Sequence, residues 1–594
     1  MSFPARLLGA GVSGLLLAGA AVTPVLATSP AAAPVAIAPA ADATSAQEAA
    51  RVDRVQAPEL AWYSCYGNAQ CATARLPLDY DEPDGASVEI ALLRVKARKP
   101  AQRIGSLFVN PGGPGGSGTE MAEMAPAFLS TAVLDRFDVI GFDPRGVGAS
   151  DNVKCFGSTR ELMLAQKQLN KFFPYGAKEE AAYTKAARAL GRGCSTTGAA
   201  LAGAMSTAEV ARDMDVLRRA VGDKKLTYLG FSYGTLLGQY YANMFPDRVR
   251  ALALDGVINP KSWTGVPADQ GSLQDSRLRS ADAAYRALRV LLTRCDRAGA
   301  KRCVFSAGDP QRHFAAIARK LRAKPLDIGR SEAGGALRLT YADFVGITLT
   351  GLYFPDAGDF VTQFAASVET LLAVPSGKTG KQRSTAQATL RSQMSRVRPT
   401  ARDFPYDNVI DAFSGVTCTD ASHPRDTAQW PALTAAEDKR APYFGRAWGW
   451  GTVFCAGKTW TVQDEDAYRG PFTRRTSAPV LFVGNDFDPA TSYRQAVSAA
   501  KLLPGSRLLS SDNWGHTAYG TSACVTSAVD RYLLRGALPA AGTVCHSVSQ
   551  PFTGRSGGSL LSTGASVQAA PAEAQQLPPV AGPYLRSGLL RRSR

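Results

Sequence analysis

Histidine is scarce in this chain: four residues, His313, His423, His516 and His546, among 594. The ten cysteines show no CxxC spacing and the histidines no HxxxH. A metal site built on close ligand spacing is therefore not expected, and no metal or cofactor is assigned. No Lys/Arg stripe interleaved with aromatics occurs, although the formal net charge is +17. The basic residues are scattered, and four arginines fall in the last nine residues. That distribution describes a solvated basic surface, so no nucleic-acid partner is expected. Beyond the N-terminus no segment has the length and apolarity of a transmembrane helix, no apolar stretch ends the chain as a wall-sorting signal would, and no internal repeat stands out. With 45% apolar and 20% charged residues the composition is that of an ordinary globular protein. The length permits two or three domains, or one large domain carrying an insertion.

The N-terminus has the pattern of an export signal. Arg6 supplies positive charge, Leu7 to Val22 form a short apolar stretch, and Val25-Leu26-Ala27 fit a small-residue cleavage site. Residues 1–27 are expected to be a signal peptide and the mature protein to be secreted, without an integral membrane segment. Pro24 ends the apolar run, and no Cys follows it to carry a lipid. An even cysteine count suits an oxidising compartment. In sequence order the cysteines fall into near neighbours: Cys65/Cys71, Cys155/Cys194, Cys295/Cys303, Cys418/Cys455 and Cys524/Cys545. Sequential pairing is the expectation. Residues 28–56, rich in Ala, Pro and small polar residues, are expected to be a linker or propeptide. Residues 553–594, with a similar bias, are expected to be a disordered tail.

Between these ends both flanks alternate short apolar runs with helical patterns. The runs include Ser106–Val109, Phe137–Phe142, Leu226–Leu229, Ala251–Leu254, Val480–Val483 and Ser506–Leu509. Continuous buried runs of this length predict a mostly parallel sheet with helices on both faces. Ser206-Thr207-Ala208-Glu209 has capping-box spacing at the start of one helix. Residues 259–475 lack the strand-helix rhythm and are expected to form a mainly helical cap inserted between two halves of the sheet domain, 57–258 and 476–552.

Gly230-Phe231-Ser232-Tyr233-Gly234 is G-x-S-x-G between a predicted strand and a predicted helix. A tight turn there lifts the Ser232 hydroxyl above the sheet, at a helix N-terminus that favours developing negative charge. A serine hydroxyl needs a base. His516, in a loop after the last predicted strand, is the histidine placed to serve. His313 lies in a helical pattern of the insertion, His423 in a Cys-containing loop, and His546 near the tail. The acid should follow a strand between Ser232 and His516. Asp486 and Asp488 both qualify, and Asp488 is preferred because Pro489 would end the strand. Asn110 to Gly118, NPGGPGGSG, can turn backbone N–H groups towards a substrate. Gly113 and Tyr233 are the expected oxyanion donors. This loop does not end in Gly-Lys-Ser/Thr, as a phosphate-binding loop would. Asp143 to Ser150 is expected to shape the top of the sheet.

Taken together, NPGGPGGSG (Asn110 to Gly118), GFDPRGVGASD (Gly141 to Asp151), GFSYGT (Gly230 to Thr235), LDGV (Leu254 to Val257), DPAT (Asp488 to Thr491) and GHT (Gly515 to Thr517) resemble the secreted tripeptidyl aminopeptidases of actinomycetes, relatives of the proline iminopeptidases. The resemblance covers roughly Glu59 to Phe552. It implies an α/β-hydrolase fold with a helical cap, and the removal of tripeptides from peptides with a free N-terminus. Ser492 departs from the proline that often follows DPAT in the family, and the tail has no counterpart. Close relatives include esterases with the same triad. Exopeptidase action also requires an anion to hold the substrate ammonium. Glu120 is a candidate, as are Asp356 and Asp359 of the insertion.

Overall fold

The computed structural model describes residues 40–330, 336–373, 380–396 and 408–553. The expected signal peptide, the start of the expected linker and the expected tail from Gly554 onward lie outside the described residues. Among the described residues there are twelve strands, in chain order β1 (Tyr63–Cys65), β2 (Ala69–Pro77), β3 (Ser87–Val95), β4 (Gly105–Asn110), β5 (Phe137–Phe142), β6 (Leu226–Phe231), β7 (Val249–Asp255), β8 (Leu326–Arg330), β9 (Ala336–Leu339), β10 (Leu481–Phe487), β11 (Arg507–Trp514) and β12 (Val544–Cys545). Ten of them form one sheet in the order β1-β2-β3-β5-β4-β6-β7-β10-β11-β12, and β8 pairs with β9 separately. From β5 to β12 every neighbouring pair is parallel, while β1, β2 and β3 add an antiparallel edge.

The parallel strands are buried on both faces, which is why they read as unbroken apolar runs. Alternation sorts their side chains into two cores. Leu107, Val109, Val139, Leu229 and Leu481 pack in one cluster. Phe108, Ile140, Tyr228, Leu252 and Phe482 pack in the other. The antiparallel edge was not foreseen. β2 reads Ala-Gln-Cys-Ala-Thr-Ala-Arg-Leu-Pro, with small residues on its covered positions, so its alternation carries little hydrophobic contrast.

Between β7 and β10 the described chain is mainly helical, with the antiparallel pair β8 and β9 as its strand component. All five disulfides pair in sequence order, as expected.

The expectation of a linker over residues 28–56 needs correction at its C-terminal end. Ala46–Asp53 form a helix capped by Ser45. Its Glu48 accepts from the buried Arg212 at 2.9 Å, and its Arg51 donates to Asp81 at 2.6 Å. Paired buried charges tie this segment to the domain, so it is part of the packed structure. Ser206 behaves as half of a capping box. Its Oγ accepts from Glu209 N at 3.2 Å. The Glu209 carboxylate does not reach back, because Arg145 and Arg212 hold it instead. The Ser206 N–H turns to Asp464 Oδ2 at 3.3 Å.

Candidate active site

β6 runs into Ser232, whose φ of 54° and ψ of −123° lie where a non-glycine residue is strained, and the helix Tyr233–Met244 begins immediately after. Strain of this kind persists only where the surroundings over-determine it. They do so here. A Cβ on Gly230 would lie 2.5 Å from the Gly234 carbonyl oxygen, and one on Gly234 would lie 2.7 Å from that of Asn110. Both glycines of the motif are needed for close approach rather than for flexibility.

The NPGGPGGSG loop follows β4 and presses directly on this turn. Gly112, at φ 87°, would set a Cβ 2.4 Å from Phe231 O and 2.7 Å from Tyr233 N. The Gly112 N–H donates to Asn110 Oδ1 at 2.9 Å, which fixes the start of the loop. Gly113 therefore lines the same pocket as Ser232 and His516.

His516 comes from the loop after β11 and Asp488 from the turn after β10. Their side chains meet with His516 Nδ1 at 2.8 Å from Asp488 Oδ2 and 3.0 Å from Oδ1. The carboxylate also accepts from Ala490 N, Thr491 N and Thr491 Oγ1 at 2.7 to 2.9 Å. An ionised carboxylate only accepts, so the imidazole proton belongs on Nδ1. Nε2 is then the basic nitrogen. It is buried and has no hydrogen-bond partner among the described residues. Tyr353 of the insertion packs its ring against the imidazole, 5.1 Å between centroids, and its carbonyl accepts the His516 N–H at 3.0 Å.

Asp486 and Asp488 differ in direction, and Asp488 is the one that meets the histidine. Asp486 points outward to Arg286 at 2.8 Å and does not approach the histidine. The other histidines are engaged elsewhere: His313 with Glu369, His423 with the Thr417 carbonyl and His546 with Asp512. Burial pushes the His423 imidazole down to about 3, so it stays neutral. Arg145 is fully buried among Asp213, Glu209 and the carbonyls of Pro77 and Leu78, a structural anchor as expected of its motif.

None of the acids expected at the amine site is among the residues lining this pocket. Glu120 sits on the short helix Gly118–Glu123. Asp356 is exposed and paired with Arg396, and Asp359 is exposed. The carboxylate in the pocket wall is Asp275, from the start of the insertion, with Gln495 nearby. Neither lies in a motif. The one local sign of Asp275 is its place just before the helix Ser280–Ala298, whose first N–H groups need acceptors.

A strained serine on a strand-to-helix turn, beside a histidine held by a buried carboxylate, defines a serine hydrolase of the α/β-hydrolase fold. Residues 105–294 match the family model described as alpha/beta hydrolase fold, and residues 441–545 the one described as TAP-like protein. A tripeptidyl aminopeptidase of Streptomyces coelicolor is 30% identical over 494 residues, 81% of this chain and 84% of that protein. Carboxylesterase B of Mycobacterium tuberculosis is 33% identical over 510 residues, covering 83% and 91%. Serine protease Hip1 of the same organism is 32% identical over 502 residues, covering 81% and 88%. The chain belongs to the tripeptidyl aminopeptidase family of α/β-hydrolases.

Proposed function

We propose that this protein is a secreted serine exopeptidase that releases tripeptides from free peptide N-termini through an acyl-Ser232 intermediate. The observation that carries the proposal is the convergence of Ser232, His516 and Asp488, with the histidine's free nitrogen buried in the pocket that the serine lines. His516 Nε2 takes the Ser232 proton as Oγ attacks the scissile carbonyl. Asp488 holds the ring and stabilises the imidazolium. The Gly113 and Tyr233 N–H groups receive the oxyanion. Collapse breaks the amide C–N bond, and the imidazolium protonates the leaving amine. Water, activated by the same nitrogen, then hydrolyses the acyl-enzyme. Five disulfides and the N-terminal apolar stretch support secretion.

A second reading, a carboxylesterase using the same residues, is favoured by the relative named for that activity. Release of p-nitroaniline from Ala-Pro-Ala-p-nitroanilide, beside its N-acetyl form and p-nitrophenyl butyrate, separates the two. Cleavage of only the free-amine peptide, lost in Ser232→Ala, is the expected result. Hydrolysis of the ester alone would transfer the site to the esterase reading.

A further inference from the structure

Among the described residues, two acceptor atoms in the pocket wall besides His516 Nε2 lack hydrogen-bond partners, Asp275 Oδ2 and Gln495 Oε1. Both are acceptors, and their residues are only 6% and 8% exposed. An unsatisfied buried acceptor is costly, and a buried carboxylate more so, unless something fills its place.

Their orientation is fixed by the neighbouring turn. Asp275 Oδ1 accepts from Ser280 N at 3.0 Å and Ala281 N at 3.3 Å, which leaves Oδ2 as the free oxygen. Gln495 Nε2 donates to the carbonyls of Arg277 and Leu278 at 3.1 and 3.0 Å. Those two carbonyls require the amide nitrogen on their side, so the amide oxygen is the atom left over. Both side chains thus anchor to the stretch 275–281 and leave an acceptor unused.

The neighbouring guanidiniums do not close the site. Arg440 Nη2 lies 3.9 Å from Asp275 Oδ2, beyond hydrogen-bond reach, and bonds Glu437, while its Nη1 bonds Asp282. Arg279 bonds Asp282 at 2.9 Å. The Arg277 guanidinium is turned to the carbonyls of Ser262, Trp263 and Ser422. Arg279 and Arg440 thus bond Asp282 and Glu437, Arg277 bonds carbonyls, and none of the three guanidiniums hydrogen-bonds Asp275 Oδ2. A group with a positive charge and several donors but no acceptor matches this site, and a primary ammonium is such a group.

We propose that Asp275 Oδ2 and Gln495 Oε1 hold the α-ammonium group of the substrate, so that the start of the insertion selects peptides with a free N-terminus. The assignment rests on the exopeptidase reading for its substrate class. Burial raises the Asp275 carboxyl to about 6, against the pull of Arg440, the Ser280 and Ala281 N–H groups and Arg279. Ammonium binding should therefore weaken as pH falls below that value and the carboxyl takes up a proton.

The test is calorimetric binding of Ala-Ala-Ala amide and its N-acetyl form to the full-length Ser232→Ala protein, which needs no turnover. The free amine should bind at least about tenfold more tightly than the acetylated peptide, the range expected for a hydrogen bond to a charged group. Adding Asp275→Asn, which keeps an acceptor for Ser280 and Ala281, should close most of that gap. Gln495→Leu should narrow it as well, and stands in if the first variant does not fold. Equal binding of the two peptides, a gap that survives Asp275→Asn, or free-amine affinity unchanged from pH 7 to 5 would overturn the assignment. Amine-selective binding in a protein whose wild type cleaves no tripeptidyl anilide would retain the subsite and remove the exopeptidase reading.

Discussion

Asp255 and Tyr519 are joined by a hydrogen bond from the Tyr519 main-chain N–H to Asp255 Oδ2, at 2.7 Å. The same oxygen accepts from Ala518 N at 2.8 Å, and the Asp255 carbonyl accepts the Ser232 N–H at 3.0 Å. One residue at the end of β7 therefore touches both the serine turn and the loop that carries His516. It acts as a positioning residue. Asp255→Ala should strand two buried N–H groups, at about 1–3 kcal/mol each, and let the histidine loop shift. The expected outcome is a fall in kcat of roughly tenfold or more on anilide and ester substrates alike, with KM nearly unchanged. Steady-state kinetics on both substrates, with a thermal melt, checks it; an unchanged kcat would count against the bridge.

The proposed roles of the three site residues make a graded prediction. Ser232→Ala and His516→Ala should each lower kcat by about 10⁴ or more. Asp488→Asn should lower it by about 10⁴, because an amide facing Nδ1 no longer fixes the proton there. Labelling by a fluorophosphonate probe should vanish in Ser232→Ala. Persistent labelling would place the nucleophile elsewhere.

Gly112 is the loop position pressed against the serine turn. A Cβ there would overlap Phe231 O and Tyr233 N, and φ of 87° already disfavours a side chain. Gly112→Ala should push the loop off the serine turn and draw the Gly113 N–H away from the oxyanion. A loss of about 10²-fold in kcat is expected, with a smaller change in KM. Equal losses in kcat and thermal stability across unrelated loop glycines would contradict a specific oxyanion role.

The disulfide Cys418–Cys455 closes 37 residues of the insertion next to the pocket residues Phe413 and Thr452. Replacing both cysteines by alanine should cost roughly 3–4 kcal/mol on the loop-entropy account. Differential scanning calorimetry of the variant against wild type reads this directly.

Stability should rise on mild acidification. Burial lifts the carboxyls of Asp255, Asp275, Asp343 and Asp420 to about 6, and Asp464, buried beside Asp466, is raised as well. Between the ordinary carboxylate range and these values the folded chain holds protons that the unfolded chain has released. Their contribution is full below the unfolded value and is lost as pH rises through the folded one. His423 opposes them, since its lowered value means the unfolded ring gains a proton first. Five carboxyls outweigh one imidazole, so Tm should be higher at pH 5 than at pH 7.5. Below about pH 4 the trend should reverse, as Asp81 and Asp247, both held low, are protonated. A Tm that falls steadily from pH 7.5 to 5 would refute this balance.

Some features were legible because they are local. The parallel strands are continuous apolar runs because both faces are covered. Gly230 to Gly234 announces its turn because strand, tight turn and helix are consecutive. The disulfides pair in sequence order, each closing a stretch of 6 to 39 residues. The antiparallel strands β2 and β3 were less visible, since one face of each is partly exposed and their residues are small or mixed. The helix Ala46–Asp53 was hidden by an Ala-rich, weakly patterned segment whose anchor, Arg212, lies far along the chain.

The amino-acid order alone determined the class of fold and a serine, a histidine and two possible acids, because each sits in a short pattern bound to its own strand end. Choosing Asp488 over Asp486 required direction: the two side chains, two residues apart where β10 ends, turn to different partners, one to His516 and one to Arg286. The pocket wall required the whole fold. Asp275 and Gln495 are 220 residues apart, one entering the insertion and the other after β10, and only packing around the turn at 275–281 leaves an acceptor unused on each in the wall of the pocket that Ser232 also lines. Hydrophobic period and turn chemistry are properties of neighbouring residues, whereas the partner a polar atom lacks depends on every element packed around it.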